Sequence, residues 1–209
     1  QNTAVGLYTL DLNTGGDQNS AFGRSALFAN TVGSYNSAFG ANTLTTNTTG
    51  VQNTAVGAYS LYFNLASNNS AVGEGSLYRN TTGTENVAFG VDTLIRNTTG
   101  SYNTALGFNA GYGDEAILDT HSVIDNYATF LGYKASRDST VASTSALTNI
   151  TAIGKNARVG TSSAIILGGT GADAVRVGIG TTSPYSTLSV QGTGSTNPFT
   201  VASSTGVSL

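Results

Sequence analysis

The stretch QNTAVG, residues 1–6, decides the fold because near copies of it return along the first half of the chain. The copies are QNSAFG (18–23), YNSAFG (35–40), QNTAVG (52–57), NNSAVG (68–73), ENVAFG (85–90) and YNTALG (102–107). Their final glycines recur at one interval from Gly6 to Gly107, and only the interval between Gly57 and Gly73 is shorter, by a single residue. A fixed short period is typical of a solenoid, in which each repeat forms one coil that stacks on the next.

Each copy alternates between two kinds of residue, as expected of a short strand with two different faces. One face carries alanine and the other carries a larger apolar residue, and a leucine column on a predicted second strand follows. Burial of a large apolar side chain contributes about 1.5 to 3 kcal/mol, so these two large columns are predicted to meet as the core of a roll. The predicted core is Val5, Leu10, Phe22, Leu27, Phe39, Leu44, Val56, Leu61, Val72, Leu77, Phe89 and Leu94.

The alanine column is predicted to be a contact face between chains. Alanine flanked by threonine and serine makes a flat face that a second chain can approach closely, and oligomerisation is a common remedy for a small core. The predicted interface is Ala4, Ala21, Ala38, Ala55, Ala71, Ala88 and Ala105.

Turn signals separate the units, and no helical pattern competes with the strands. Asn-Thr-Thr-Gly occurs at residues 47–50, 80–83 and 97–100, and both asparagine and glycine suit turns because they tolerate positive φ. There is no apolar stripe of helical period, and Gly, Thr, Asn and Val are poor helix formers. The chain is therefore predicted to be all-β.

Composition excludes several classes of partner. Only 9% of the 209 residues are charged and the net charge is −3, whereas nucleic-acid-binding proteins concentrate basic residues on one face. The chain contains no cysteine and no apolar run long enough for a membrane span. We expect no nucleic-acid partner, no cofactor and no direct membrane insertion by this segment, and we take the chain as a piece of a longer protein.

The pattern changes along the chain, which predicts three parts. Residues 1–112 hold the regular repeats. Residues 113–171 hold irregular coils with inserted loops, where the motif returns as TFLG (129–132), TAIG (151–154) and IILG (165–168). Residues 172–209 contain VGIGTTSP (177–184) and LSV (188–190) and are predicted to be a junction or shaft segment.

Few residues suggest chemistry. The densest group of potential metal ligands is Asp114, Glu115, Asp119, His121 and Asp125, but its spacing matches neither a calcium-binding EF-hand loop nor a zinc-protease motif, so a solvated acidic loop is the favoured interpretation. The carboxylates of the coils fall in different columns and form no glycosidase pair: Asp11, Asp17, Glu74, Glu85 and Asp92. No enzyme activity is predicted.

Aromatic residues in variable positions are the best candidates for recognition, since rigid aromatics carry much interface energy. They are Tyr8, Tyr59, Tyr62, Phe63 and Tyr78. The alternative is that they cover the rim of the core or lie between subunits.

The motifs NTAVG, NSAFG and NITAIGKNA (149–157) resemble the repeats of YadA-like head domains of trimeric autotransporter adhesins. The run VGIGTTSP followed by LSV is similar to a junction in trimeric phage tail fibres. The first resemblance implies a left-handed parallel β-roll, here with 17-residue coils, assembled as a homotrimeric fibre.

The resulting expectation is a non-enzymatic extracellular fibre segment for adhesion and structural display on a cell surface. Its partners would be further copies of itself, possibly continuing as a filament, and a cell-surface glycan or protein receptor. Two alternatives remain open: a bacteriophage tail fibre on the virion that binds a receptor, and an ice-binding β-solenoid. The second rests on the column Thr3, Ser20, Ser37, Thr54, Ser70 and Thr104, which Val87 interrupts.

Overall fold

A computed structural model describes residues 1–112, 124–138, 145–169, 177–179 and 188–190. The chain divides into two units, Gln1–Asp173 and Ala174–Leu209. All regular structure within the described residues is β-strand, which confirms the predicted all-β class. The predicted loops and boundaries around residue 113 lie partly outside the described residues.

The first unit is built on one parallel sheet of ten strands, in the order β1-β2-β3-β4-β5-β6-β7-β8-β10-β12. Eight of them come first along the chain: β1 (Thr3–Val5), β2 (Ser20–Phe22), β3 (Ser37–Phe39), β4 (Thr54–Val56), β5 (Ser70–Val72), β6 (Val87–Phe89), β7 (Thr104–Leu106) and β8 (Asn126–Leu131). The last two are β10 (Thr148–Ile153) and β12 (Ile165–Leu167). A separate parallel pair joins β9 (Ser136–Arg137) to β11 (Arg158–Val159).

The register of the sheet follows the sequence repeat. Ala4 pairs with Ala21, and Ala21 pairs with Ala38, so the partners are equivalent residues of successive repeats. Between β4 and β5 the equivalent residues Ala55 and Ala71 still pair, although the coil that joins them is the shorter one. Parallel strands that lie side by side in the order of the chain, with β9 and β11 in a second sheet, are consistent with a β-solenoid.

The leucine segment is a chain of turns and not the second strand that the sequence suggested. Leu27 and Leu44 have φ of 51° and 49°, in the left-handed region that larger residues rarely adopt. The segment still bonds along the stack, since Leu27 N–H donates to Thr43 O at 3.0 Å and Leu44 N–H donates to Ser60 O at 3.1 Å. Left-handed backbone costs about 1 to 2 kcal/mol per residue, which complete burial of the leucine side chain offsets.

The core pairs the leucine column with the alanine column. Leu27, Leu44, Leu61, Leu77 and Leu94 are fully buried, as predicted, and Leu10 packs against them. Opposite them, the alanines from Ala21 to Ala105 have at most 1% exposure. The leucine side and the alanine side of the roll lie within hydrogen-bonding distance of each other. The hydroxyl of Ser60, which precedes Leu61, donates to the main-chain oxygen of Ala71 on β5 at 3.2 Å.

The large apolar column of the strands was wrongly assigned to the core. Val5, Phe22, Phe39, Val56 and Phe89 point outward and are exposed, while Val72 is half-buried. So narrow a roll has room on its inner strand face for a methyl group but not for a phenyl ring. Side chains of opposite faces alternate along a strand, so the large residues lie outside.

The alanine interface is wrong for the same reason. Ala21, Ala38, Ala55, Ala71, Ala88 and Ala105 are enclosed by their own chain, where a second chain cannot contact them. Ala4 is exposed because β1 has a neighbouring strand on one side only.

Beyond the regular repeats, the large and the small residue of the core exchange places. Gly111 takes the place of the column leucine, and Phe130 takes the place of the strand alanine on β8, where it pairs with Ala105. A Cβ added at Gly111 would lie 3.0 Å from Phe130 Cδ2 and 2.5 Å from Leu94 Cδ2. The buried Phe130 ring therefore fills space that the missing leucine leaves.

The second unit contains a parallel pair, β13 (Val177–Ile179) and β14 (Leu188–Val190). Val177 pairs with Leu188 and Ile179 pairs with Val190.

Candidate functional site

A ladder of buried asparagines runs beside the strands. It consists of Asn19, Asn36, Asn53, Asn69, Asn86 and Asn103, each no more than 1% exposed. Asn36 Oδ1 accepts both the main-chain N–H of Asn53 at 3.0 Å and its side-chain Nδ2 at 3.1 Å. The main-chain half of this contact recurs at each step, ending where Ala128 N–H donates to Asn103 Oδ1 at 2.9 Å.

A second buried ladder lies across the coil and comprises Asn30, Asn47, Asn64, Asn80 and Asn97. Each donates Nδ2 to Oδ1 of its counterpart in the preceding coil, as Asn97 does to Asn80 at 2.8 Å. The two ladders converge on one main-chain oxygen per coil: Gly50 O accepts from Asn36 at 2.8 Å and from Asn47 at 3.0 Å. Since burying an unbonded amide costs free energy, this convergence explains how the interior tolerates so many polar groups.

The glycine at this point has no room for a side chain. A Cβ added at Gly33 would lie 2.4 Å from both Gly50 O and Asn30 Oδ1. The asparagines and glycines of the Asn-Thr-Thr-Gly segments were predicted to form turns, and neither ladder was predicted. The available signal was that asparagine fills its column before every strand from β1 to β7.

Asp125 ends the ladders with a charge. Its main-chain oxygen takes the place of the glycine oxygen and accepts Asn103 Nδ2 at 2.7 Å. Its carboxylate lies inside the roll, with Oδ1 accepting Leu147 N–H at 2.8 Å and lying 3.2 Å from Arg137 Nη1. Burial raises the pKa of Asp125, while the Leu147 hydrogen bond and the Arg137 charge act in the opposite direction.

The structure therefore gives Asp125 an ion-pair partner. The other four proposed metal ligands, Asp114, Glu115, Asp119 and His121, lie outside the described residues. No group of three or more potential ligands occurs within the part of the chain that the structure describes.

Among the described coils, Glu74 and Asp92 are the carboxylates that come closest to interacting. Asp92 N–H donates to Glu74 O at 2.8 Å from the adjacent coil. Partial burial raises the pKa of Asp92, and the like charge of Glu74 raises it further. The two residues lie side by side along the stack, whereas glycoside hydrolysis needs two carboxylates that face each other across a bound sugar.

The outward side chains of the ten-stranded sheet, which we term the outer sheet face, form a long apolar surface. Its exposed large members on the strands are Val5, Phe22, Phe39, Val56, Val87, Phe89, Leu106, Leu131, Ile153, Ile165 and Leu167. Exposed aromatics border it near β7 and β8, where Tyr102 stacks on Tyr127 at 4.9 Å and Phe108 stacks on Tyr133 at 5.7 Å between ring centroids. The threonine and serine column also points outward here, and Val87 interrupts it.

Four of the five aromatics singled out from the sequence form one cluster, which we term the tyrosine patch: Tyr59, Tyr62, Phe63 and Tyr78. The Tyr62 and Tyr78 rings are stacked with centroids 5.3 Å apart. Tyr8 lies in another coil, where its ring contacts Phe28 at 6.4 Å. The sequence predicted exposed aromatics, and the structure brings these four together.

No protein-family model, curated protein or solved structure matches the chain. The part of the chain that the structure describes contains no helix long and apolar enough to cross a membrane.

Proposed function

We propose that the chain is a segment of an extracellular fibre, in which three copies assemble as left-handed β-rolls with 17-residue coils. Its role is adhesion and structural display on a cell surface. The role is non-enzymatic and needs no cofactor. The observation that carries the proposal is the apolar outer sheet face.

The extent of this face supports contact with other copies. Ten strands at about 4.8 Å spacing make a surface roughly 40 to 45 Å long, whereas soluble monomers rarely expose contiguous apolar patches above a few hundred Å². Phe89 is 56% exposed and Leu106 is 47% exposed, both on strands in the interior of the sheet. Identical columns on identical chains are self-complementary in length and spacing, and the number of three copies rests on the resemblance to YadA-like heads.

Display follows from the ladders and the sheet. Main-chain hydrogen bonds run along the stack, and asparagine side chains add to them in the coils from β1 to β7, which makes a rod that resists bending. A rod of this kind holds a binding surface away from the body that carries it.

A phage tail fibre is the second candidate. VGIGTTSP and LSV carry that resemblance, and their residues Val177–Ile179 and Leu188–Val190 form the parallel pair β13–β14. Both candidates share the trimeric fibre and differ in whether a cell or a virion carries it.

Light scattering tests the assembly. We expect the parent chain to have a mass of about three times 21.1 kDa. Leu106→Arg places a charge on the outer sheet face and should dissociate the trimer without unfolding the coil, since Leu106 is exposed within one chain. Thr82→Arg, at an exposed turn position, is the matched control and should remain trimeric.

Two results would count against the proposal. A monomeric parent removes the trimer. A Leu106→Arg variant that keeps the mass and melting temperature of the parent leaves the oligomer in place but removes the outer sheet face as its contact surface.

A further inference from the structure

The tyrosine patch is a compact group of rings with two open edges. Phe63 meets both stacked tyrosines edge-on, with centroids 4.7 Å from Tyr62 and 5.2 Å from Tyr78. Tyr59 borders the same pair at 5.9 Å and 6.4 Å. Tyr59 and Phe63 are 43% and 41% exposed, so two aromatic surfaces face solvent beside a stacked pair.

The coil does not require these rings for its own packing. In the preceding coil, the positions of Tyr59, Tyr62 and Phe63 are occupied by Asn42, Thr45 and Thr46, and the backbone follows the same path. Tyr59 and Asn42 share left-handed φ values of 59° and 56°. A large ring at a left-handed position that suits asparagine needs another explanation than stability.

A glycine and a carboxylate follow Tyr59 along its column of the stack. Gly75 follows Tyr59 in the same column of the next coil, and Asp92 follows Gly75 in the coil after that. A Cβ added at Gly75 would lie 2.3 Å from Asp92 Oδ1, so the carboxylate occupies the space beside this glycine. An aromatic surface, phenol hydroxyls and a carboxylate acceptor therefore line one short stretch of the rod.

We propose that the tyrosine patch is a carbohydrate-binding site. The C–H face of a sugar ring packs on aromatic rings, and its hydroxyls find partners in phenols and carboxylates, so this combination suits a neutral saccharide. The rings come from two neighbouring coils, which span about 10 Å along the axis. That footprint fits a short oligosaccharide, whereas a stable protein interface buries about 800 Å² on each partner.

This inference deepens the proposed adhesive role and rests on it for its purpose, but the patch itself lies within one chain. Its side chains lie in the turns that follow β4 and β5 and are not part of the outer sheet face. Binding and assembly are therefore measured separately.

The test is a saturation-transfer NMR and tyrosine-fluorescence titration of the full chain with lactose, maltose and N-acetylglucosamine. Tyrosine fluorescence is usable because the chain has ten tyrosines and no tryptophan. We expect at least one probe to bind the parent. Tyr59→Asn and Phe63→Thr, which introduce the residues of the preceding coil, should each weaken that binding about tenfold, the loss expected of one aromatic contact.

Tyr8→Asn is the matched control. Tyr8 has the same position in its coil as Tyr59 and nearly the same φ, 58°, but it contacts a single ring. It should bind the probe as the parent does.

Melting temperature and light-scattering mass of each variant establish that it is folded and assembled. A parent that binds none of the three probes overturns the inference, and so does equal binding by the parent and a folded Tyr59→Asn, Phe63→Thr double variant. A double variant that loses mass instead of sugar binding shows a contact between copies, which also overturns it. Failure of the trimer alone appears as a low mass in a parent that still binds sugar.

Discussion

The coils from β2 to β7 and the coils from β8 to β12 satisfy their buried polar groups in different ways. In the first region, neutral amides satisfy the buried polar groups, and each coil repeats the contacts of its neighbour. In the second, Asp125 and Arg137 form one buried ion pair, and Phe130 replaces an alanine. An asparagine ladder can be extended by adding coils, whereas the ion pair fits only one position along the stack.

The difference follows from what each group can bond. An asparagine side chain both donates and accepts hydrogen bonds. Each asparagine of a ladder can therefore bond to its counterpart in one adjacent coil and be bonded by its counterpart in the other. At Asn97, where the second ladder ends, the buried Oδ1 has no hydrogen-bond partner among the described residues. A carboxylate only accepts, so it must meet a donor such as Arg137 and cannot pass the pattern on.

The largest effect is expected when a buried carboxylate, as found in the second region, is placed in an asparagine ladder of the first region. Asn36→Asp places a carboxylate near two acceptors, Asn19 Oδ1 at 3.2 Å and Gly50 O at 2.8 Å. We expect a loss of about 5 kcal/mol or more in the free energy of unfolding at pH 7, from the buried charge and the lost donors. Chemical denaturation measures it.

Asn68→Asp is the control for that change, since Asn68 is exposed and lies outside both ladders. It should alter stability by less than about 0.5 kcal/mol. Burial raises the pKa of the new carboxyl at position 36, so its deficit should shrink as the pH falls and the group becomes neutral. A deficit that is small, or constant with pH, would mean that the ladder tolerates a charge.

A smaller effect is expected from removing one half of the ion pair. Arg137→Met leaves Asp125 buried without its cationic partner and should cost about 3 to 5 kcal/mol. Adding Asp125→Asn should recover most of this loss, because the neutral amide keeps the acceptor for Leu147 N–H. Thermal melts of the parent, single and double variants give the comparison, and a double variant no more stable than the single one would refute the charge as the cause.

The smallest effect has the opposite sign. Asp92→Asn puts a neutral amide at a left-handed position (φ 55°), where Asn42 and Asn109 stand in other coils. The pKa of Asp92 is raised above its ordinary value of 3.8 in the folded chain, so the parent loses stability as the pH rises above 3.8. The variant should be more stable at pH 7 by about 0.5 kcal/mol or less, since the group is partly exposed.

Melting curves at pH 7 and pH 3 measure this dependence. The advantage of Asp92→Asn should be smaller at pH 3, where the parent carboxyl is protonated in both states. Asp11→Asn, at an exposed position in the first coil, is the control. An advantage equal at both pH values would assign the gain to backbone conformation alone.

The repeat, the all-β class and the buried leucine column were predictable from the sequence, because period and turn residues depend on local chemistry. The side of the strand that lies inside was not. The alternating pattern shows that Ala38 and Phe39 face opposite sides of the strand, but it does not show which side lies inside the roll. The assumption that the larger residue is buried fails in a roll this narrow. The uniform column was the better guide, since only alanine fits the inner position of β1–β7 while Val, Phe and Leu exchange outside.

The candidate site was predicted in part. Exposed aromatics were expected, but proximity of Tyr59 and Tyr78 depends on the register of stacked coils. The asparagine ladders depend on the same register, since a side chain bonds its counterpart in the adjacent coil. No local signal distinguishes such an asparagine from one that forms a turn.

The coil between β4 and β5 has one residue fewer than the other coils between β1 and β7, and the deletion leaves the interior intact. Ala66 O takes the place of the glycine oxygen and accepts Asn53 Nδ2 at 2.8 Å and Asn64 Nδ2 at 2.7 Å. The missing residue belongs to the outer turn, while both amides keep their acceptor. Loss of one residue from that turn is therefore compatible with an unbroken stack, and Tyr59, Tyr62 and Phe63 within the shortened coil show that its outward side chains can differ from those of other coils while the buried amides keep their contacts.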